Sequence, residues 1–155
     1  IVVLWGDHGW NLGDSALWAK HTPVERAVRS PLIISIPKME KAGTSSDALV
    51  ESLDLFPTLI DITKPRFTRT EHKLDGKSLV SVISNPKAKV RDAALSYWRE
   101  GITVRTRTHR LIVSNKNRKL KNEELYDETT NFDPVQNKAS THPEMVRRLK
   151  EYLPR

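Results

Sequence analysis

The sequence predicts an α/β fold for residues 1–92, followed by an α+β subdomain over residues 93–155. Three observations predict it. Ile1–Trp5 and Leu32–Ile36 are unbroken apolar runs rich in β-branched residues, the pattern of strands buried on both faces of a parallel sheet. Leu55, Phe56, Leu59, Ile60 and Ile62 recur at helical spacing, as on the buried face of an amphipathic helix. From Ala93 onward short strand-like runs alternate with turns, and Met145, Val146, Leu149, Tyr152 and Leu153 then share one helical face. A small antiparallel sheet packed by a C-terminal helix follows from that order.

The elements can be taken in turn. After the first strand, Gly6-Asp7-His8-Gly9 changes the chemistry abruptly. Asn11-Leu12-Gly13-Asp14 is a loop signature, with Asp14 placed to cap a short turn through Ala16, Leu17 and Trp18. Pro23 ends that turn, because the residue before a proline leaves the helical region. Glu25, Arg26 and Arg29 read as a polar connector to the second strand, which Pro37 stops. The middle helix begins near Leu53 or Asp54, since Pro57 is tolerated only in a first turn. Lys64 to Lys77 reads as a loop, Asp75-Gly76 as a turn, and Ser78–Ile83 as a short helix closed by Asn85-Pro86.

In the C-terminal part, Ala94–Trp98 is strand-like. Ile102–Thr106 and Arg110–Val113 flank Arg107-Thr108-His109, a hairpin signal. Asn115 to Asn122 reads as a basic tip, Glu124–Asp127 as a last short strand, and Asn131–Pro134 as a turn. Thr141 and Glu144 have the spacing of a capping box.

Composition sets the bounds. The chain has 155 residues, 37% hydrophobic and 29% charged, enough for one ordinary globular core. No run approaches the roughly 18 apolar residues that span a bilayer, so no membrane partner is expected. Cysteine is absent, which excludes disulfides, thiolate ligands and a cysteine nucleophile from this chain. Lys plus Arg number 26 against 19 Asp plus Glu, a net charge of +7. That balance favours anionic partners, but no nucleic-acid reader motif accompanies it. The chain opens directly on a buried-type strand, and a parallel strand needs neighbours. The expectation is therefore a fragment whose preceding strands lie upstream.

The chemistry concentrates at the end of the first strand. In open α/β sheets, ligands collect at the carboxyl ends of strands. An adjacent carboxylate and imidazole between two glycines makes Asp7 and His8 the candidates for a metal or catalytic site there.

The chain resembles the sulfatase family of the alkaline-phosphatase-like superfamily. The residues that carry the resemblance are Gly6-Asp7-His8-Gly9-Trp10, Leu12-Gly13-Asp14, Leu17-Trp18-Ala19-Lys20, Thr22, Glu25 and Pro31-Leu32-Ile33. Asp54-Leu55-Phe56-Pro57-Thr58-Leu59, Asp75–Leu79, Leu125-Tyr126-Asp127 and Asp133-Pro134 extend it in the same order. His8-Gly9-Trp10 with Trp18-Ala19-Lys20 is most similar to iduronate-2-sulfatase-like members. Many relatives have a histidine and a glycine where this chain has Ser15 and Ala16.

The resemblance implies the remainder of an alkaline-phosphatase-like sheet over residues 1–92, and hydrolysis of a sulfate ester, with a carbohydrate as the expected bearer. It implies Ca²⁺ as the metal, with Asp7 and His8 among its ligands, and Lys20 as the sulfate contact. Trp10, Glu25 and His109 are the surrounding or pocket candidates: Glu25 as a structural group or one orienting Lys20, Trp10 at the pocket mouth or in packing, His109 at the pocket edge or, as preferred, in an exposed hairpin turn. The family's formylglycine nucleophile comes from a Cys/Ser-x-Pro-x-Arg run, and none is present here. That run, two further aspartate ligands and further sulfate-pocket residues precede the Asp-His-Gly strand in relatives. The expected partner is thus an N-terminal part of the sulfatase, and the chain alone is expected to be inactive. Family resemblance places the full-length protein outside the cytoplasm, whether exported, periplasmic or lysosomal. Two other readings stand beside this one: a two-zinc phosphatase or phosphodiesterase of the same superfamily, and a non-enzymatic module binding anionic glycans.

Overall fold

The computed structural model describes residues 1–66, 71–99, 101–116, 119–129 and 135–154, with the backbone alone at 115–116 and 119–121. Two compact units emerge. One comprises Ile1–Val2 and Ile34–Asp92, the other Val3–Ile33 and Ala93–Arg155. Residues 3–33 therefore group with the C-terminal residues rather than with 34–92.

The first strand, β1 (Val2–Trp5), pairs with β4 (Leu32–Ser35) in a two-stranded sheet. Burial on both faces was the expectation from their apolar runs, within a sheet whose further strands lie upstream. Val2, Leu4 and Ile33 are exposed. Burying both faces takes flanking strands and a covering layer on each side, and among the described residues this sheet has two strands.

Between them lie the short β2 (Asn11–Leu12) and β3 (Trp18–Ala19), joined through a 3-10 turn at Asp14–Ala16. Residues 25–28, expected as a polar connector, form a one-turn helix, α1 (Glu25–Val28), that buries Glu25 and Ala27.

In the first unit a 3-10 turn at Ser52–Asp54 leads into α2 (Leu55–Thr63), with Pro57 in the first turn as its missing N–H requires. Asp54 is fully buried and organises its surroundings. Its carboxylate accepts the backbone N–H groups of Glu51 at 2.8 Å and Lys77 at 2.7 Å, and it pairs with Arg91, which also pairs with Glu51. Thr58 accepts the Leu79 N–H at 2.8 Å, tying α2 to the start of α3 (Val80–Ser84). Gly76 permits this: a Cβ there would lie 1.9 Å from the Leu53 carbonyl oxygen.

In the second unit β5 (Ala94–Trp98), β6 (Gly101–Arg105), β7 (His109–Lys116) and β8 (Lys119–Asp127) form an antiparallel sheet in sequence order. The last two strands are longer than expected. Ser114 pairs with Asn122, and a register shift follows before Asn115 pairs with Leu120. The residues read as a basic tip thus belong largely to the ladder, and residues 117–118 lie outside the described ones, as does the expected turn at 131–134.

Val104, Leu111, Val113 and Leu125 meet Val146 and Leu149 of α4 (Pro143–Lys150) in the core of this unit. The expected capping box does not form. Pro143 occupies the first helical turn, where its missing N–H costs nothing, so His142 is the N-cap and Thr141 bonds instead to the Lys138 carbonyl. Among the described residues no helix is long and apolar enough to cross a membrane.

Candidate active site

The site is built by the loop after β1. Gly6 N–H donates to the Pro31 carbonyl at 3.0 Å, and Gly9 N–H to the Ala27 carbonyl at 2.8 Å. These bonds stitch the Asp7-His8 pair to the segment carrying α1. The glycine at position 9 is required by close approach, because a Cβ there would stand 1.8 Å from the Arg26 carbonyl oxygen. The two glycines that bracket Asp7 and His8 are therefore packing residues, and the chemistry lies between them.

A second stretch delivers Lys20. Asn11 pairs with Ala19 and Leu12 with Trp18. The Asn11 side chain is fully buried. Its Nδ2 donates to the Ala19 carbonyl at 2.7 Å and to the Thr22 hydroxyl at 3.1 Å, one partner on each side of Lys20. Ser15, Ala16 and Ala19 all have left-handed backbone, with φ of 52°, 59° and 67°. Ala16 thus holds a conformation that glycine adopts without strain. Such residues persist only where the surrounding structure over-determines them.

The two stretches meet at His8. Lys20 Nζ lies 2.8 Å from His8 Nε2, and His8 Nδ1 lies 2.8 Å from the Gly9 carbonyl oxygen. An ammonium has only donors, so Nε2 accepts and Nδ1 carries the proton that Gly9 receives. That tautomer leaves the Nε2 lone pair turned toward a cationic partner. Asp7 Oδ2 lies 3.4 Å from the same Nε2. The spacing suits a shared cation: two donors about 2.4 Å from one calcium and at right angles stand about 3.4 Å apart. The Asp7 side chain is 74% exposed and that of His8 30%, so the pair opens outward. Among the described residues no third His, Cys, Asp or Glu joins them in a metal-holding group; two donors fall well short of the roughly six to eight ligands that calcium takes.

The other sequence candidates fall around this centre in different ways. Trp10 is half-exposed, its ring 6.0 Å from that of His8 and tilted by 38°. Glu25 is buried, and its carboxylate takes a bidentate pair from Arg105 at 2.9 and 3.1 Å, with Arg29 at 3.9 Å. No hydrogen bond or ion pair links it to Lys20 among the described residues. His109 opens β7 opposite Asp127, and its Nδ1 contacts the Thr108 hydroxyl at 2.8 Å. Burial holds its pKa below the usual 6.5, opposed by Asp127 and helped by Lys138, His142 and Arg105. His21 stacks on Trp98 with ring centroids 4.8 Å apart.

A family model described as N-sulphoglucosamine sulphohydrolase, C-terminal, matches residues 6–154. The chain belongs to that family. Its relatives are sulfatases. A sulfatase of Formosa agariphila is 31% identical over the whole of this chain and 30% of its own length. An N-acetylglucosamine-6-O-sulfatase of Bacteroides thetaiotaomicron is 34% identical over 55% of this chain and 15% of its own length. Mouse iduronate 2-sulfatase is 30% identical over 38% of this chain and 15% of its length, in keeping with the iduronate-type motif. A solved structure, in complex with its substrate D-glucosamine-2-N,6-O-disulfate, is 27% identical with a TM-score of 0.79, covering 96% of this chain and 33% of that one. The chain thus spans about a third of the length of the Formosa sulfatase and of the solved structure, and matches a smaller share of the other two relatives.

Asn11 and Arg105 are the site-building residues that the sequence reading passed over. Asn11 reads as one more loop residue beside Gly13, and its only signal is an amide between two apolar neighbours. Arg105 offers an earlier clue: it is a charge at the end of a strand whose other residues are apolar or β-branched, and a buried charge demands a partner.

Proposed function

We propose that this chain supplies one half of a sulfatase active centre, and that the complete enzyme hydrolyses a sulfate ester on a sugar. The observation that carries the reading is the Asp7–His8–Lys20 constellation, placed within a chain of the N-sulphoglucosamine sulphohydrolase C-terminal family. Lys20 contacts the sulfate. Its ammonium faces charge that develops on the sulfate and leaving-group oxygens as the S–O bond breaks, and the strapping of Ala19 and Thr22 by Asn11 holds it in place. Asp7 Oδ2 and His8 Nε2 would hold the calcium ion of the family. Held there, it would supply Lewis-acid polarisation of a sulfate oxygen. The single lone pair of Nε2 serves one partner at a time, so a metal held by His8 would leave Lys20 Nζ available to the sulfate.

The nucleophile, a formylglycine, and the remaining ligands come from a preceding part of the enzyme, so the 155-residue chain is inactive alone. Family resemblance is what supports placing such an enzyme outside the cytoplasm, whether exported, periplasmic or lysosomal. Sulfated glucosamine is the favoured substrate, supported by the family description and by the sugar bound in the solved neighbour; a sulfated iduronate is the competing outcome that the mouse relative raises.

Release of inorganic sulfate from glucosamine 6-sulfate and from a sulfated iduronate, beside a matched phosphate ester and with metal analysis of the purified enzyme, tests the reading. Sulfate release with one calcium per chain is expected. Preferential phosphate release by a protein carrying two zinc ions would replace the sulfatase reading with a phosphatase.

A further inference from the structure

We propose that Arg99 and Trp98, with His21 stacked against the indole, form a second anion-reading subsite. It recognises a further negatively charged substituent, a carboxylate or a second sulfate, on the sugar whose sulfate ester meets Lys20. The inference rests on the proposed function and adds a specificity determinant to it.

Trp98 pairs with Gly101, which places Arg99 in the connection between β5 and β6. Its φ is 47°, the left-handed region. Glycine or asparagine fills such a hairpin position without strain, yet this sequence places an arginine there. Strain of this kind is a pointer to function when the side chain has something to do. The guanidinium carbon of Arg99 lies 4.9 Å from the Trp98 ring centroid. That contact fixes a planar cation that is otherwise flexible. Among the described residues no carboxylate pairs with Arg99, although most other arginines with described partners have one, as Arg26, Arg91, Arg105, Arg110 and Arg147 do.

The same indole ties this hairpin to the sulfate contact. The His21 ring lies on Trp98 at 4.8 Å with 21° between the planes, and His21 directly follows Lys20. Among the described residues Lys20 has His8 as its partner and no carboxylate. Two cations without a carboxylate partner among the described residues are therefore linked through one stacked pair of rings. A dianionic sugar answers both. One sulfate meets the ammonium, and the second anion meets the guanidinium, whose fork matches carboxylate and sulfate oxygens in pairs.

The test compares kcat/KM of the complete enzyme on glucosamine 6-sulfate, glucosamine 2-N,6-O-disulfate and a sulfated uronic acid. The variants are Arg99→Gly, Arg99→Lys and Lys20→Ala. Arg99→Gly suits the left-handed backbone, so it removes the guanidinium without lowering Tm. The expected result is a loss of roughly 10- to 100-fold on the dianionic sugar, with the monosulfate changed by less than about threefold. Arg99→Lys restores part of the loss. Whichever dianionic sugar responds identifies the second group as sulfate or carboxylate. Equal loss on all three sugars, or none on any, overturns the subsite. Lys20→Ala lowers turnover of every sugar if the sulfatase reading holds. Should no sulfate ester be turned over, that reading fails, and binding still decides the subsite. The Trp98 indole N–H resonance of the 155-residue chain must then shift with glucosamine disulfate, and not in Arg99→Gly; a resonance that stays still refutes it.

Discussion

Truncation of Glu25 to alanine removes a buried partner from the second unit, and its cost can be worked from the contacts. The Glu25 side chain is 4% exposed and that of Arg105 18%, and two charge-assisted bonds of 2.9 and 3.1 Å join them. Arg105 then retains Glu128 at 4.0 Å and the Thr106 carbonyl. Breaking a buried pair from one side typically costs about 3–5 kcal/mol, because the remaining charge is stranded. For a chain of this length that is a fall in Tm of roughly 6–20 °C. The assay is urea unfolding of Glu25→Ala, Arg105→Met and the double variant, closed as a cycle. A coupling of about 1.5 kcal/mol or more is expected between Glu25 and Arg105. A second cycle pairs Glu25→Ala with Lys20→Ala, where the coupling should stay below about 0.5 kcal/mol. The reverse order would refute the reading of Glu25 as a brace between α1 and β6, and would restore it as the group that orients Lys20.

Other outcomes follow from the same contacts. Ala16→Gly should raise stability by about 0.5–1 kcal/mol, the left-handed strain relieved exceeding the added chain entropy, as thermal unfolding will register. Gly9→Ala should cost roughly 3 kcal/mol through the clash with the Arg26 carbonyl, and its Lys20–His8 contact should be lost in NMR of the His8 ring. Acid should weaken the fold in two windows. The folded chain holds His109 neutral below its ordinary pKa of 6.5, so the unfolded chain takes up that proton first, and stability is lost as pH falls through 6.5; His109→Gln should flatten that part of the profile. Thr129, through its hydroxyl and its backbone N–H, and then Lys138 hold the Asp127 carboxyl far below its ordinary 3.8. Its contribution is present above that pH and lost below it, and Asp127→Asn should remove the second slope.

Much of this was legible in the chain because one residue type decides each feature. Pro57 set the start of α2, Pro143 sits in the first turn of α4, and the apolar stripe through Val146 and Leu149 marked the face of that helix that packs on the sheet. The meeting of His8 and Lys20 was legible only through the family pattern, since they are 12 residues apart and nothing local states that the β2–β3 turn folds back. Burial was the least legible property. Val2 and Leu4 are as apolar as any core strand and yet exposed, because burial depends on what lies alongside. Glu25, polar and expected in a connector, is buried because Arg105 arrives from a strand 80 residues later in the sequence. The capping box failed for a local reason that spacing ignores: a proline at the residue after His142 fixes where the helix begins.

The central claim is that Lys20 meets the sulfate of a sugar sulfate ester. Sulfate release from glucosamine 6-sulfate by the complete enzyme carrying Lys20→Ala, beside the unsubstituted enzyme, tests it most directly. A fall in kcat/KM of roughly 10²- to 10³-fold is predicted, with bound calcium unchanged because Asp7 and His8 remain. Turnover within about threefold of the unsubstituted enzyme would contradict it.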